Sequence, residues 1–167
     1  MKLAVIALLE MVSADRSRIE AIRRRFDPQH GRLPPHVTLV FPKKWDEAGA
    51  LADVRRAAAS ETAFAARLSR FEAVGDPRSG STYLHLFPSQ GVEKFATLHE
   101  EMAAAEAEPN YKPHITVGKF EEQASALDMA RNLNRAWPPV DCTIRTLQLL
   151  RLSGGWIVPI AAVELEA

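Results

Sequence analysis

Apolar residues recur along the chain with two different periods, and the alternation between them predicts the elements. The longest apolar run, Leu3–Leu9, holds seven residues and predicts a buried first strand. Over residues 13–26 the spacing turns helical, with Ile19, Ile22 and Phe26 on one face and Ser13 or Asp15 available to cap the first amides. The stretch 27–35 (DPQHGRLPP) is a loop, and His36–Phe41 (HVTLVF), bounded by Pro35 and Pro42, is a strand. A helix is predicted over 46–60 through Leu51, Val54 and Ala58, and an extended segment over 62–74. The turn GDPRSGS (75–81) leads into a strand over 82–87 (TYLHLF).

The second half repeats this grammar. Residues 90–106 place Val92, Phe95, Leu98 and Met102 on one helical face, and Glu108-Pro109-Asn110 ends the helix. A strand over 114–120 (HITVGKF), a helix around 122–136 and strands over 141–152 and 155–165 follow, the last two joined by Ser153-Gly154-Gly155. The order strand, helix, strand, strand after His36 recurs after His114. Phe71 and Leu149 each stand 35 residues beyond their histidine. This predicts one domain over 1–167 with an internal duplication of offset 78, its repeats at about 36–88 and 114–165.

PHVTLV (35–40) and PHITVG (113–118) carry the chemistry. With 5 His, 7 Thr and 11 Pro in the chain, two chance copies of Pro-His-x-Thr have odds on the order of one in ten thousand. The strand period of two puts His36, Thr38 and Val40 on one face, and Val37, Leu39 and Phe41 on the other. His114 and Thr116 likewise oppose Ile115 and Val117. If the aliphatic face is core, the His/Thr faces look into a cleft, and neighbouring central strands would bring both pairs to one pseudo-twofold site. There a neutral imidazole can take a proton from an attacking oxygen while a protonated one gives a proton to the leaving oxygen. The threonine hydroxyls can donate to the non-bridging oxygens of a phosphodiester. No metal is required, and no Asp, Glu or Cys recurs at a ligand spacing in both motifs.

Composition narrows the partners. Lys+Arg and Asp+Glu both number 21, so the cationic excess of a duplex-DNA binder is missing. The seven-residue apolar run is far short of the roughly twenty residues of a membrane span. Lys2 and LAVIALL imitate a short signal peptide, but Glu10 interrupts and no A-x-A site follows. Cys142 is the only cysteine and reads as a small buried hydrophobe in a reduced, cytoplasmic protein. Arg16, Arg18, Arg23, Arg24 and Arg25 read as a solvated helix face, Trp137 and Trp156 as core, His99 as packing or surface, and His30 as loop. In TYLHLF, Leu84 and Leu86 take the core face, leaving Tyr83 and His85 on the cleft or the surface.

PHVTLVFP and YKPHITVGKF resemble the paired H-x-[ST]-φ motifs, φ apolar, of the 2H phosphoesterase superfamily, the 2′-5′ RNA ligase and cyclic phosphodiesterase group. The resemblance covers most of the chain. It implies an α+β fold of two pseudo-symmetric lobes of antiparallel sheet with outer helices and the His-x-Thr strands facing a central cleft. By that resemblance His36 and His114 are the catalytic pair, in either order of acid and base, and Thr38 and Thr116 bind phosphate. Lys112 and Tyr111 occupy positions where relatives carry a basic and an aromatic residue, and with Tyr83 and His85 they are the candidate substrate contacts. The implied activity is metal-independent and cofactor-free. It acts on a 2′,3′-cyclic phosphate or 2′-5′ linkage of a nucleotide or RNA end, possible in reverse as ligation. A monomer is expected, and the competing reading is a non-catalytic nucleotide- or RNA-end-binding module on the same fold.

Overall fold

The computed structural model describes residues 1–167. Its elements are β1 (Lys2–Glu10), α1 (Ser13–Phe26), β2 (His36–Lys43), α2 (Glu47–Ser60), β3 (Phe64–Gly75), β4 (Thr82–Gln90), α3 (Val92–Ala103), β5 (Ile115–Phe120), α4 (Gln123–Asn134), β6 (Val140–Ser153) and β7 (Trp156–Glu164), with a short 3₁₀ turn at Ala104–Glu106. Asp46 caps α2 by accepting from the Gly49 amide at 2.8 Å. The expected cap of α1 is different. Its N-cap is Val12 with no side-chain hydrogen bond, and Asp15 pairs with Arg18 instead. Gly154 and Gly155 both have positive φ, 56° and 82°, which a two-residue hairpin between β6 and β7 requires.

All strand pairs named here are antiparallel, in the order β2-β1-β6-β3-β4-β5 with β7 on β6. That order reads the same from either end when β1, β2 and β3 are exchanged for β4, β5 and β6. The symmetric units are therefore β1–β3 and β4–β6, each beginning one strand and one helix before the frame at 36–88 and 114–165, and β7 lies outside the repeat. β6 joins the two lobes. One edge pairs with β1, while the other pairs first with β3 (Val140–Ile144) and then with β7 (Thr146–Ser153).

The motif strands β2 and β5 are the two ends of the order rather than its centre, and they come into contact with each other. Each pairs along one edge only, which leaves the other edge free to face its counterpart. The helices cross over: α1 packs on β5 and α3 on β2. The core runs through both lobes, with Leu3, Val5, Leu39, Leu68, Leu84, Leu86, Phe95 and Leu149 essentially excluded from water. Trp137 packs edge-on to Phe71, with Arg18 over its ring at 4.5 Å. Trp156 is no core residue. It is 76% exposed on the β6–β7 hairpin.

A bulge in each motif strand changes which side chains reach the cleft. Ile6 stands opposite Thr38 and Val5 opposite Val40, so Leu39 is an extra residue; His85 stands opposite Thr116 and Leu84 opposite Gly118, so Val117 is another. Leu39 and Val117 are as far apart as the two histidines. Beyond the bulge the alternation inverts: Val40 joins the core and Phe41, 39% exposed, turns outward, the reverse of the strict period of two.

Candidate active site

Each motif histidine is set by the residues before it. Pro35 and Pro113 are buried, and a proline keeps the preceding residue extended, so the carbonyls of Pro34 and Lys112 are available to the rings two positions on. His36 Nδ1 lies 2.8 Å from the Pro34 oxygen, and His114 Nδ1 lies 2.8 Å from the Lys112 oxygen. A carbonyl only accepts, so each Nδ1 carries the hydrogen and each neutral ring keeps Nε2 as its acceptor.

The loop that delivers His36 is tied down by an arginine from α1. Arg23, 1% exposed, donates to Asp27 at 2.7 Å, to Glu20 at 2.6 Å and to the Leu33 carbonyl at 2.8 Å. It is therefore no part of a solvated basic face. A buried guanidinium is tolerated because three acceptors satisfy its fork. On the other side of β2, His99 Nδ1 donates to the Leu39 carbonyl at 2.7 Å while its Nε2 accepts from the Glu108 amide at 2.9 Å. Tyr111 stacks on His99 at 4.0 Å and donates its hydroxyl to the Thr38 carbonyl at 2.8 Å. Tyr111 is thus a strut between the second motif and β2, its hydroxyl engaged by the Thr38 carbonyl, and it also lines the groove that holds His114.

His36, Thr38 and Thr116 line one cleft of about 280 Å³ with Tyr83, Lys119 and Phe41, near the lower end for small-molecule pockets. Its other wall is apolar and comes from Ala4, Ile6, Leu150, Leu152 and Ile157. His114 lies in an adjoining groove with His85, Phe87, Glu72 and Lys112, and Phe41 borders both spaces. Lys112 and Lys119 are exposed cations on this rim, Lys119 lying 5.8 Å over the Tyr83 ring. The inverted alternation after the bulge hid Phe41 and Lys119 from the sequence reading.

Electrostatics favours neutral imidazoles here. Burial lowers the His36 pKa, with Arg23 and His114 adding to it against the Pro34 carbonyl and Asp27. Burial also lowers that of His114, against the Lys112 carbonyl and Glu108. His85, 9% exposed, is pushed down to about 3 by burial and by His114. Its ring lies flat against His114, centroids 3.7 Å apart and planes 16° from parallel.

A model of the 2′-5′ RNA ligase superfamily matches residues 11–156. The chain belongs to that superfamily. A Geobacillus kaustophilus protein provisionally named a phosphoesterase is 28% identical over 142 residues, 81% of this chain and 82% of its own length. Among solved structures, E. coli LigT complexed with 3′-AMP superposes with a TM-score of 0.56 at 18% identity, covering 99% of this chain and 98% of LigT. Kluyveromyces marxianus Usb1 gives a TM-score of 0.56 at 14% identity over 94% of this chain and 96% of its own. The two-lobed α+β architecture is thus that of the superfamily. No helix of this member is long and apolar enough to cross a membrane.

Proposed function

We propose that this protein is a phosphodiesterase opening a 2′,3′-cyclic phosphate or cleaving a 2′-5′ linkage on a nucleotide or RNA end, in the reducing cytoplasm. The observation that carries the reading is the matched pair of imidazoles, each with Nδ1–H tied to the carbonyl two residues back. That arrangement serves proton transfer at Nε2 and is superfluous for phosphate binding alone. One neutral Nε2 takes a proton from water as the water oxygen bonds to phosphorus. The other ring, protonated once the phosphodiester anion beside it offsets the effect of burial, gives its Nε2 proton to the ribose oxygen as the phosphorus–oxygen bond breaks. Thr38 and Thr116 donate to the non-bridging oxygens, where charge grows in the transition state. Neither step needs a metal, in keeping with motifs that repeat His and Thr but no carboxylate or thiolate.

The test is a product screen against nucleoside 2′,3′-cyclic phosphates and 2′-5′-linked dinucleotides, run before and after exhaustive EDTA treatment. Turnover of at least one class, unchanged by chelation, is expected. Loss on chelation with recovery on one divalent ion would move the chemistry to metal-assisted hydrolysis. No turnover of any phosphodiester, with nucleotide binding intact, would leave the end-binding module as the better account.

A further inference from the structure

The two halves of the sheet differ at one position that bears directly on the site. Ile6 on β1 faces Thr38, and His85 on β4 faces Thr116. These two residues are therefore symmetry mates, yet one is aliphatic and the other an imidazole. His85 sits in an aromatic column, 6.0 Å from Tyr83 on one side and 5.9 Å from Phe87 on the other. Phe87 is in turn 5.8 Å from His114. His114 thus has a flat partner against its face and an aromatic ring beside it. The mate of His85 offers His36 no such ring.

We infer that His85 is a positioning residue for His114: its ring, stacked on that of His114 and fixed by β4, sets the plane in which His114 presents Nε2 to the substrate phosphate. The inference rests on the acid–base reading above. His114 is anchored through Nδ1 to the Lys112 carbonyl, but one hydrogen bond leaves the ring free to swing about it. A face-to-face contact at 3.7 Å removes that freedom. His85 does this as an uncharged ring, because two imidazolium rings at that separation repel strongly, and its pKa near 3 agrees. It therefore moves no proton itself. The groups around the pair are Glu72 on β3, Phe87 on β4, Phe41 on β2, and Glu108, Tyr111 and Lys112 in the loop before β5.

The test compares His85→Ala, His85→Phe and His114→Ala on the best substrate of the screen, with melting curves to establish folding. His85→Ala lowers kcat by up to ~100-fold, the scale of a misplaced catalytic group, with KM changed by less than ~3-fold. His85→Phe, which keeps a flat ring in the stack, recovers most of that loss. Alongside, the His114 titration followed by NMR moves up toward 6.5 in His85→Ala, where water reaches the uncovered face, and stays low in His85→Phe. A His85→Phe variant as impaired as His85→Ala, with KM raised in both, would instead make His85 a substrate contact and overturn the inference. Full activity in His85→Ala with none in His114→Ala would also overturn it while sparing the functional reading. Full activity in His114→Ala removes both.

Discussion

The histidines of the candidate site affect stability as well as the proposed chemistry, and the sign follows from their surroundings. His36, His85 and His114 all hold pKa values below the ordinary 6.5. The unfolded chain therefore binds more protons than the native one once the pH falls below about 6.5. The contribution is fully present above that pH and is lost on acidification, at about 1.4 kcal/mol per pH unit for each histidine that stays neutral. For His85 the loss continues down to its native value of about 3. Urea unfolding at pH 7, 6 and 5 should show this fall, and His85→Phe should make it shallower by about one histidine's share. Equal slopes in the two proteins would mean that His85 is not held neutral. At this scale the sequence was informative about His36, Thr38, His114 and Thr116, because their repetition is visible in one dimension. It was silent about Arg23, which reads like its surface neighbours Arg24 and Arg25, and about the His85–His114 stack, which depends on strand register.

At the scale of the elements, the site rests on two bulged edge strands and on the helices that cross to cover them. The hydrophobic periods revealed the strands and helices nearly end to end, since each buries a face. They could not reveal the bulges, because one extra residue costs no change in composition and only a register inversion. Gly118 marks a tight point of this layer. A Cβ there would lie 2.9 Å from Phe26 Cβ on α1 and 3.0 Å from the Phe120 ring, and Phe26 and Phe120 are themselves stacked at 5.0 Å. Gly118→Ala must push α1 off β5 and should destabilise by ~1–3 kcal/mol. Since Gly118 is two residues from Thr116, activity should fall as well. Gly75→Ala meets nothing within 4 Å and serves as the control, within ~0.5 kcal/mol of the parent. Denaturant midpoints that match for the two variants would show that α1 is not seated this tightly.

At the scale of the whole molecule, the motif in each half of the chain contributes one imidazole, so the proposed acid–base pair exists only when both lobes are assembled. The repeated Pro-His-x-Thr was legible in the sequence, but the frame of the sheet's pseudo-symmetry was not. The sequence similarity is concentrated in the motifs, whereas the symmetry of the sheet also relates β1 to β4 and α1 to α3, whose residues diverge. Divergence is what makes the cleft two-sided, with aliphatic Ala4, Ile6 and Leu150 on one wall and Tyr83, Thr116 and Lys119 on the other. A site divided this way makes a distinct kinetic prediction. His36→Ala or His114→Ala alone removes one positioned proton-transfer group and should cost ~10²–10⁴-fold in rate. Once either is gone, concerted transfer from water to leaving group is already broken, so the second substitution has little left to remove. The double variant should therefore fall far short of the product of the single losses, as groups acting as a unit do. Single-turnover rates for the three variants, corrected for any loss of folding, measure this directly. Losses that multiply would mean that the two histidines act in separate steps, and the paired acid–base mechanism would have to be given up.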